Sequence, residues 1–183
     1  MKWLRRLWPA LLLVAVLALV VVINVIAARV VDRYRQESYP SNNYSTIEDG
    51  LYLGGILSGA PEGVRAVLNV GETPDRYKAE VHRWEPIPDL GPAPSLDWLR
   101  SQVEFIDQQR KAGRPVYVHC RAGVNRSSMV LAAYLMWRDR LTRDEALAVI
   151  RSKRRRIMPF PVYQEYLSEW EKSLGIPANE PET

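Results

Sequence analysis

The most uniformly hydrophobic stretch of the sequence covers residues 9–28, with no charged side chain and one polar side chain, Asn24. A helix of about 20 residues is about 30 Å long, which matches the hydrocarbon core of a bilayer. Tryptophans precede this stretch and arginines follow it, as is typical of interfacial anchors. The pattern predicts a single transmembrane helix over residues 9–28, with residues 1–8 as a charged flank and residues 29–46 as a juxtamembrane linker.

Two other interpretations of this stretch stay open. A buried core helix is disfavoured, because no polar face interrupts the apolar run. A cleaved signal peptide fits better, since the chain begins with the basic segment MKWLRR and Val25-Ile26-Ala27 could precede a cleavage site. The run is long for such a peptide, so we expect a retained single-pass membrane anchor. The side of the membrane is open, because basic residues flank both ends and favour an inside N-terminus only slightly.

After the linker, short apolar runs alternate with segments of helical periodicity. Four runs predict strands at residues 51–55, 64–70, 81–87 and 115–119. Helices are predicted from Ser95 to about Gly113, after residue 125, from the capping box of Thr142 and Glu145, and over about residues 162–173. Strands that alternate with helices indicate an α/β fold, with a mostly parallel central sheet of four to five strands and helices on both faces. This domain is predicted at residues 47–174, with a flexible tail at residues 175–183.

The charge distribution argues against a nucleic-acid partner. The formal charge of the chain is +4, but residues 1–35 hold six basic side chains and one acidic one. Residues 36–183 therefore carry 19 basic and 20 acidic side chains, so the globular part has almost no net charge. A single cysteine and two histidines exclude an internal disulfide and leave little for a structural zinc site, so we expect neither a metal nor a cofactor.

The residues with the clearest chemical meaning lie between the predicted strand at 115–119 and the next helix. Cys120 follows the strand directly, at the sheet edge where α/β proteins bind ligands. The loop after it exposes backbone N–H groups, Gly123 permits a turn that other residues resist, and the helix N-terminus adds positive potential. We expect this concavity to bind a tetrahedral anion, with Arg126 forming a bidentate contact and Cys120 held as a reactive thiolate.

The order His119-Cys120, five residues, Arg126-Ser127 resembles the signature of the cysteine-dependent protein tyrosine phosphatases. Four flanking segments are similar to the dual-specificity branch of that superfamily, and together they cover residues 44–174 in unbroken order. They are DGLYLGG at 49–55, VLNV at 67–70, AYLM at 133–136, and EAL at 145–147 followed by the arginines 154–156 and Pro159.

The resemblance implies a role for each residue of the signature. Cys120 attacks phosphorus, Arg126 holds the phosphoryl oxygens, and Ser127 stabilises the departing thiolate. The general acid of the family matches Asp89 in the segment PIPDLG, whereas Asp97 competes for that role but falls in the first turn of a helix, where acids are common. His119 orients the loop. The phosphate-binding loop is Arg121, Ala122, Gly123, Val124, Asn125 and Arg126.

The function that follows from this resemblance is a membrane-anchored phosphatase that hydrolyses phosphotyrosine, phosphoserine or phosphothreonine through a cysteinyl-phosphate. A phospholipid or phosphoinositide phosphatase is the main alternative, because residues 110–156 hold 13 basic and 3 acidic side chains. Many family members carry Ser or Gly where this chain has Asn125, which resembles the RNA 5′-triphosphatases. A silent phospho-binding module is disfavoured, since Cys120, Arg126 and Asp89 are all present. The expected partners are thus a phosphorylated protein or lipid and the membrane, around a monomeric catalytic domain.

Overall fold

A computed structural model describes residues 14–27, 29 and 42–177, and the chain divides into two units, 1–39 and 40–183. In the first unit residues 14–27 are helical and every one of them is exposed. Within the described residues, no helix combines the length and the hydrophobicity needed to cross a membrane. The predicted span at 9–28 is described only in part. The flank at 1–8, most of the linker and the end of the predicted tail lie outside the described residues.

The second unit contains a five-stranded sheet in the order β1-β2-β5-β3-β4. The strands are β1 Tyr44–Glu48, β2 Leu51–Gly54, β3 Ala66–Asn69, β4 Val81–Trp84 and β5 Val116–His119. β1 pairs antiparallel with β2, and every other pairing is parallel. The expected α/β fold with a mostly parallel sheet is confirmed. β1 was not among the predicted strands, because an edge strand with one fully buried residue, Ile47, has little hydrophobic pattern.

Four helices are described in the second unit, of which the first three contact this sheet and the last packs against the second and third helices. They are α1 Leu96–Lys111, α2 Arg126–Asp139, α3 Arg143–Lys153 and α4 Pro161–Ser173. The predicted caps are present, since the Ser95 side chain accepts from Trp98 N at 3.2 Å and Thr142 and Glu145 form a complete capping box. α2 is the central helix, and 11 of its 14 residues are buried. Its position fixes where the turn that precedes it must lie.

The parallel strands direct their carboxyl ends to one edge of the sheet. Gly55 follows β2, Gly71-Glu72 comes shortly after β3 and Cys120 follows the central strand β5. The chain after β4 returns to the same edge, because Glu85 N donates to Asn69 O and Ile87 N donates to Val70 O. Segments that are far apart in sequence therefore meet around residues 120–126, as expected for ligand sites of α/β proteins.

The ion-pair cluster around Glu48 gives the fold a testable pH dependence. Hydrogen bonds and charge from Arg138 and Arg110 hold the pKa of Glu48 below its ordinary value of 4.5. A carboxyl group with a lowered folded-state pKa stabilises the fold above its unfolded pKa, and the stabilisation is lost as the pH falls through the folded pKa. We expect Glu48→Gln to lower the free energy of unfolding at pH 7 by about 1 kcal/mol, since the pair is partly exposed.

Urea unfolding of the wild type and Glu48→Gln at pH 7 and pH 3 checks this expectation. The difference between the two proteins should shrink at the lower pH. Glu165→Gln is the matched control, because Glu165 is exposed and has no hydrogen bond or ion pair among the described residues. A difference for Glu48→Gln that is equal at both pH values would contradict the assignment.

Candidate active site

The turn of residues 120–125, between β5 and α2, directs its carbonyl groups away from its own centre. Each carbonyl from Arg121 to Asn125 accepts a hydrogen bond from a residue outside the turn or from the first turn of α2. Ile56 N donates to Arg121 O, and Arg154 donates to Gly123 O and, together with Asn43 Nδ2, to Ala122 O. The Ser128 hydroxyl donates to Val124 O and Asn125 O, which also accept from Met158 N and Met129 N respectively. No described residue accepts a hydrogen bond from the N–H groups of residues 121–125. These N–H groups are thus free to bind an anion.

Glycines allow the turn to approach strand β2 closely. Gly123 has a φ of 68°, in the left-handed region that favours glycine. A β-carbon at this position would also collide with the backbone of Gly54 and Gly55. The predicted need for glycine at 123 is therefore twofold, because both the dihedral angle and the packing exclude a larger residue.

Arg154 supports the turn from outside. Its Nε donates to Gly123 O at 2.8 Å, and its NH2 group donates to Ala122 O at 3.2 Å and to Asn43 Oδ1 at 2.7 Å. Arg154 is buried, whereas Arg155 and Arg156 are exposed. The sequence presents these three arginines as one charge run, and only the tertiary structure separates a buried support from two exposed cations.

Cys120 lies at the base of the turn with 2% of its surface exposed. Its Sγ is 3.3 Å from the Oγ of Ser127, in the first turn of α2. The structure thus brings together the two residues to which the resemblance assigns nucleophilic attack and stabilisation of the thiolate. A hydroxyl at this distance can donate to an ionised sulfur.

Arg126 is 1% exposed and has acidic neighbours on two sides. Its NH1 group donates to Ile87 O at 2.8 Å and to Glu72 Oε2 at 3.1 Å. Its Nε lies 3.0 Å from Asp89 Oδ1, although the two groups are not aligned as a hydrogen bond. Glu72 was missed by the sequence analysis, because only its position after β3 places it near this guanidinium.

Asp89 projects from the loop between β4 and α1, and 47% of its side chain is exposed. It accepts a hydrogen bond from Asn125 Nδ2 at 3.2 Å. The loop itself is held by the Tyr163 hydroxyl, which donates to Pro88 O at 3.2 Å. Burial raises the pKa of Tyr163, so this hydroxyl keeps its proton well above neutral pH. Asp97, the competing candidate, lies in the first turn of α1 and has no hydrogen bond or ion pair with Cys120 or Arg126.

His119 is fully buried beneath the turn. Its Nε2 is 3.0 Å from Asp75 Oδ2, and its Nδ1 is 3.3 Å from the carbonyl oxygen of Cys120. The same Asp75 oxygen accepts from Asn69 Nδ2 and contacts His82 Nε2, each at 3.0 Å. Asp75 was not a candidate in the sequence, where it is one acidic residue in a polar loop.

Among the described residues, no three or more His, Cys, Asp or Glu side chains are grouped so that they could hold a metal ion. The groups around the turn include the Cys120 thiol, the Ser127 hydroxyl, the buried Arg126 guanidinium and the accessible carboxyl groups of Asp89 and Glu72. This set can bind a tetrahedral oxyanion, attack its central atom and exchange a proton with a leaving group.

Comparison with known proteins gives a family match over most of the second unit. A family model described as the catalytic domain of dual specificity phosphatases matches residues 60–173. Dual specificity protein phosphatase 1 of Homo sapiens is 30% identical over 135 residues, which cover 69% of this chain and 37% of that protein. Dual specificity protein phosphatase 1 of Arabidopsis thaliana is 31% identical over 159 residues, which cover 81% of this chain and 77% of that protein. The chain thus spans little more than a third of the human relative.

Solved structures give the same result for the fold. The crystal structure of PTPMT1 in complex with PI(5)P has a TM-score of 0.64 and 26% identity, covering 73% of this chain and 97% of that chain. Human DUSP28 has a TM-score of 0.67 and 25% identity, covering 72% of this chain and 97% of that chain. A mouse putative dual specificity phosphatase complexed with zinc tungstate has a TM-score of 0.68 at 23% identity, which shows a similar fold.

The support of the turn by Arg154 can be tested with an oxyanion probe. We expect Arg154→Met to weaken tungstate binding by about 10-fold or more, because the carbonyl groups of Ala122 and Gly123 lose their donor and the turn is no longer held open. Arg155→Met is the matched control, since it removes an exposed cation from the same run. Calorimetric titration measures both affinities, and thermal unfolding shows that each variant is folded. Equal losses in the two variants would mean that the run acts only through its net charge.

Proposed function

This chain belongs to the dual specificity phosphatase family, and from that premise we propose that it hydrolyses phosphate monoesters of tyrosine, serine and threonine side chains through a cysteinyl-phosphate. The observation that supports the proposal is the meeting of Cys120, Arg126 and Asp89 around a turn whose N–H groups have no protein acceptor among the described residues. Each component of a metal-independent phosphoryl transfer is present at one edge of the sheet.

In the first step the thiolate of Cys120 attacks phosphorus in line with the ester oxygen. The sulfur–phosphorus bond forms as the phosphorus–oxygen bond breaks, and Asp89 gives its proton to the departing oxygen. The N–H groups of the turn and the guanidinium of Arg126 bind the three remaining oxygens, which carry negative charge throughout. Before a substrate binds, Glu72 and Asp89 lie beside Arg126, so the buried guanidinium is not left without a counterion.

In the second step a water molecule attacks the cysteinyl-phosphate. Asp89, now ionised, takes a proton from that water, and inorganic phosphate leaves as the sulfur–phosphorus bond breaks. The electron pair returns to Cys120 as a thiolate, which the Ser127 hydroxyl stabilises at 3.3 Å. The enzyme then returns to its starting state with no external reductant or metal.

The proposal includes a retained single-pass membrane anchor at residues 9–28. Its support is the uncharged apolar sequence and the helical, exposed conformation of residues 14–27. The catalytic domain at residues 47–174 is proposed to act as a monomer next to the membrane surface. A form without residues 1–35 tests membrane attachment separately from catalysis. We expect it to leave the membrane fraction and to keep its phosphatase activity.

A phosphoinositide is a second candidate substrate. A cavity of about 410 Å³ lies beside the turn and is lined by Asn42, Asn43, Ala122, Val124, Arg154 and Arg156. Its cationic wall suits a second phosphate on the same headgroup. The crystal structure of PTPMT1 in complex with PI(5)P, at 26% identity, supports this candidate.

The role of Asp89 predicts a change in the pH profile. Because a general acid must be protonated, activity falls as the pH rises through its ionisation. We expect Asp89→Asn to lower kcat for p-nitrophenyl phosphate by about 10²-fold and to remove the alkaline limb of the profile. Asp97→Asn is the matched control and should keep both the rate and the limb. If Asp97→Asn lost the rate and the alkaline limb while Asp89→Asn kept both, the general acid would be Asp97.

The substrate class can be determined with a panel. Phosphopeptides carrying tyrosine, serine or threonine phosphate, phosphoinositide vesicles and triphosphorylated RNA are compared, with Cys120→Ser as the background. We expect phosphopeptides to be hydrolysed with the highest kcat/KM, and Arg156→Gln to leave that value within about 3-fold. A clear preference for phosphoinositide, lowered selectively by Arg156→Gln, would favour the second candidate. Hydrolysis of RNA alone would contradict both.

A further inference from the structure

The side chain of Asn125 is directed towards the loop that carries Asp89. Its Oδ1 accepts from the backbone N–H of Phe160 at 2.8 Å, and its Nδ2 donates to Asp89 Oδ1 at 3.2 Å. Asn125 occupies the N-cap position of α2 but makes no side-chain hydrogen bond to that helix, and it is 5% exposed. Its amide therefore joins the start of α4 to the side chain of the proposed general acid.

The Phe160 contact fixes which end of the amide faces Asp89. A backbone N–H can only donate, so the oxygen of the amide must face Phe160 and the NH2 group must face the carboxyl group. The amide consequently offers Asp89 a donor and never an acceptor. Among the described residues, Asn125 is the one side chain that donates an aligned hydrogen bond to Asp89.

The hydrogen bond from Asn125 Nδ2 distinguishes the two oxygens of Asp89. Oδ1 faces the Asn125 amide and lies 3.0 Å from Arg126 Nε, so a proton on Oδ1 would point at two donors. Protonation on Oδ2 avoids this conflict and keeps both contacts. The other ionisable groups near Asp89 are Glu72, which shares the Arg126 guanidinium, and the hydroxyl of Tyr163 on α4. Neither one donates to Oδ1.

On this geometry we propose that Asn125 is a positioning residue that directs Asp89 to carry its proton on Oδ2 and holds it towards the leaving group. The inference rests on the proposed function and adds to it, since the sequence analysis placed Asn125 only among the phosphate-binding residues. A serine or glycine at this position is too short to bridge Phe160 and Asp89. Asn125, where many family members carry Ser or Gly, thus acts on proton transfer by Asp89.

The test combines a leaving-group series with a double-mutant cycle. Asn125→Ser removes the donor, and kcat is measured with aryl phosphates of good and poor leaving groups. We expect a loss of about 10-fold or more for phenyl phosphate and less than about 3-fold for p-nitrophenyl phosphate, because a poor leaving group depends more on the acid. In the Asp89→Asn background, Asn125→Ser should change kcat by less than about 2-fold.

A second variant separates positioning from a structural role. Asn125→Asp keeps the acceptor for Phe160 but places a carboxylate against Asp89, so ionisation of Asp89 is opposed and the alkaline limb of the profile should move to higher pH. Tungstate affinity and thermal unfolding establish that each variant keeps an intact turn. Equal losses for all leaving groups, or a full loss in the Asp89→Asn background, would overturn the inference. A wild-type protein inactive on every aryl phosphate would instead contradict the proposed function.

Discussion

The carbonyl groups of residues 121–125 accept hydrogen bonds from the protein around them, and the remaining features of the site depend on this arrangement. A peptide group whose oxygen faces outwards must direct its N–H the other way. The donors come from distant parts of the chain, including Ile56, Arg154 and Met158. An anion-binding surface made of backbone thus requires the whole domain to be folded, although the turn itself is short.

Charge compensation is the second organising feature. Arg126 is almost fully buried, and a buried guanidinium needs counterions. Glu72 and Asp89 supply them from two different loops, and Glu72 is the more exposed of the two. In the proposed mechanism, the negative charge of a bound phosphoryl group would add to this compensation.

Hydrogen bonds also connect the two loops that must act together. Asn125 belongs to the turn that binds the anion and contacts the acid on the neighbouring loop, while Tyr163 holds that loop through Pro88. On the opposite side, His119 connects the backbone of Cys120 to the buried carboxyl group of Asp75. His119 thus contacts the backbone of the proposed nucleophile, and Tyr163 contacts the loop that carries the proposed acid.

Local periodicity and fixed spacing were enough to predict the fold class, the capped helices and the signature from Cys120 to Ser127. The partners that come from elsewhere in the chain could be found only in the folded structure. Glu72 is 54 residues from Arg126 and Asp75 is 44 residues from His119, and Arg154 looks like its exposed neighbours in the sequence. Hydrogen bonds between distant segments form only when the parallel strands end at one edge of the sheet, and no local pattern records that meeting.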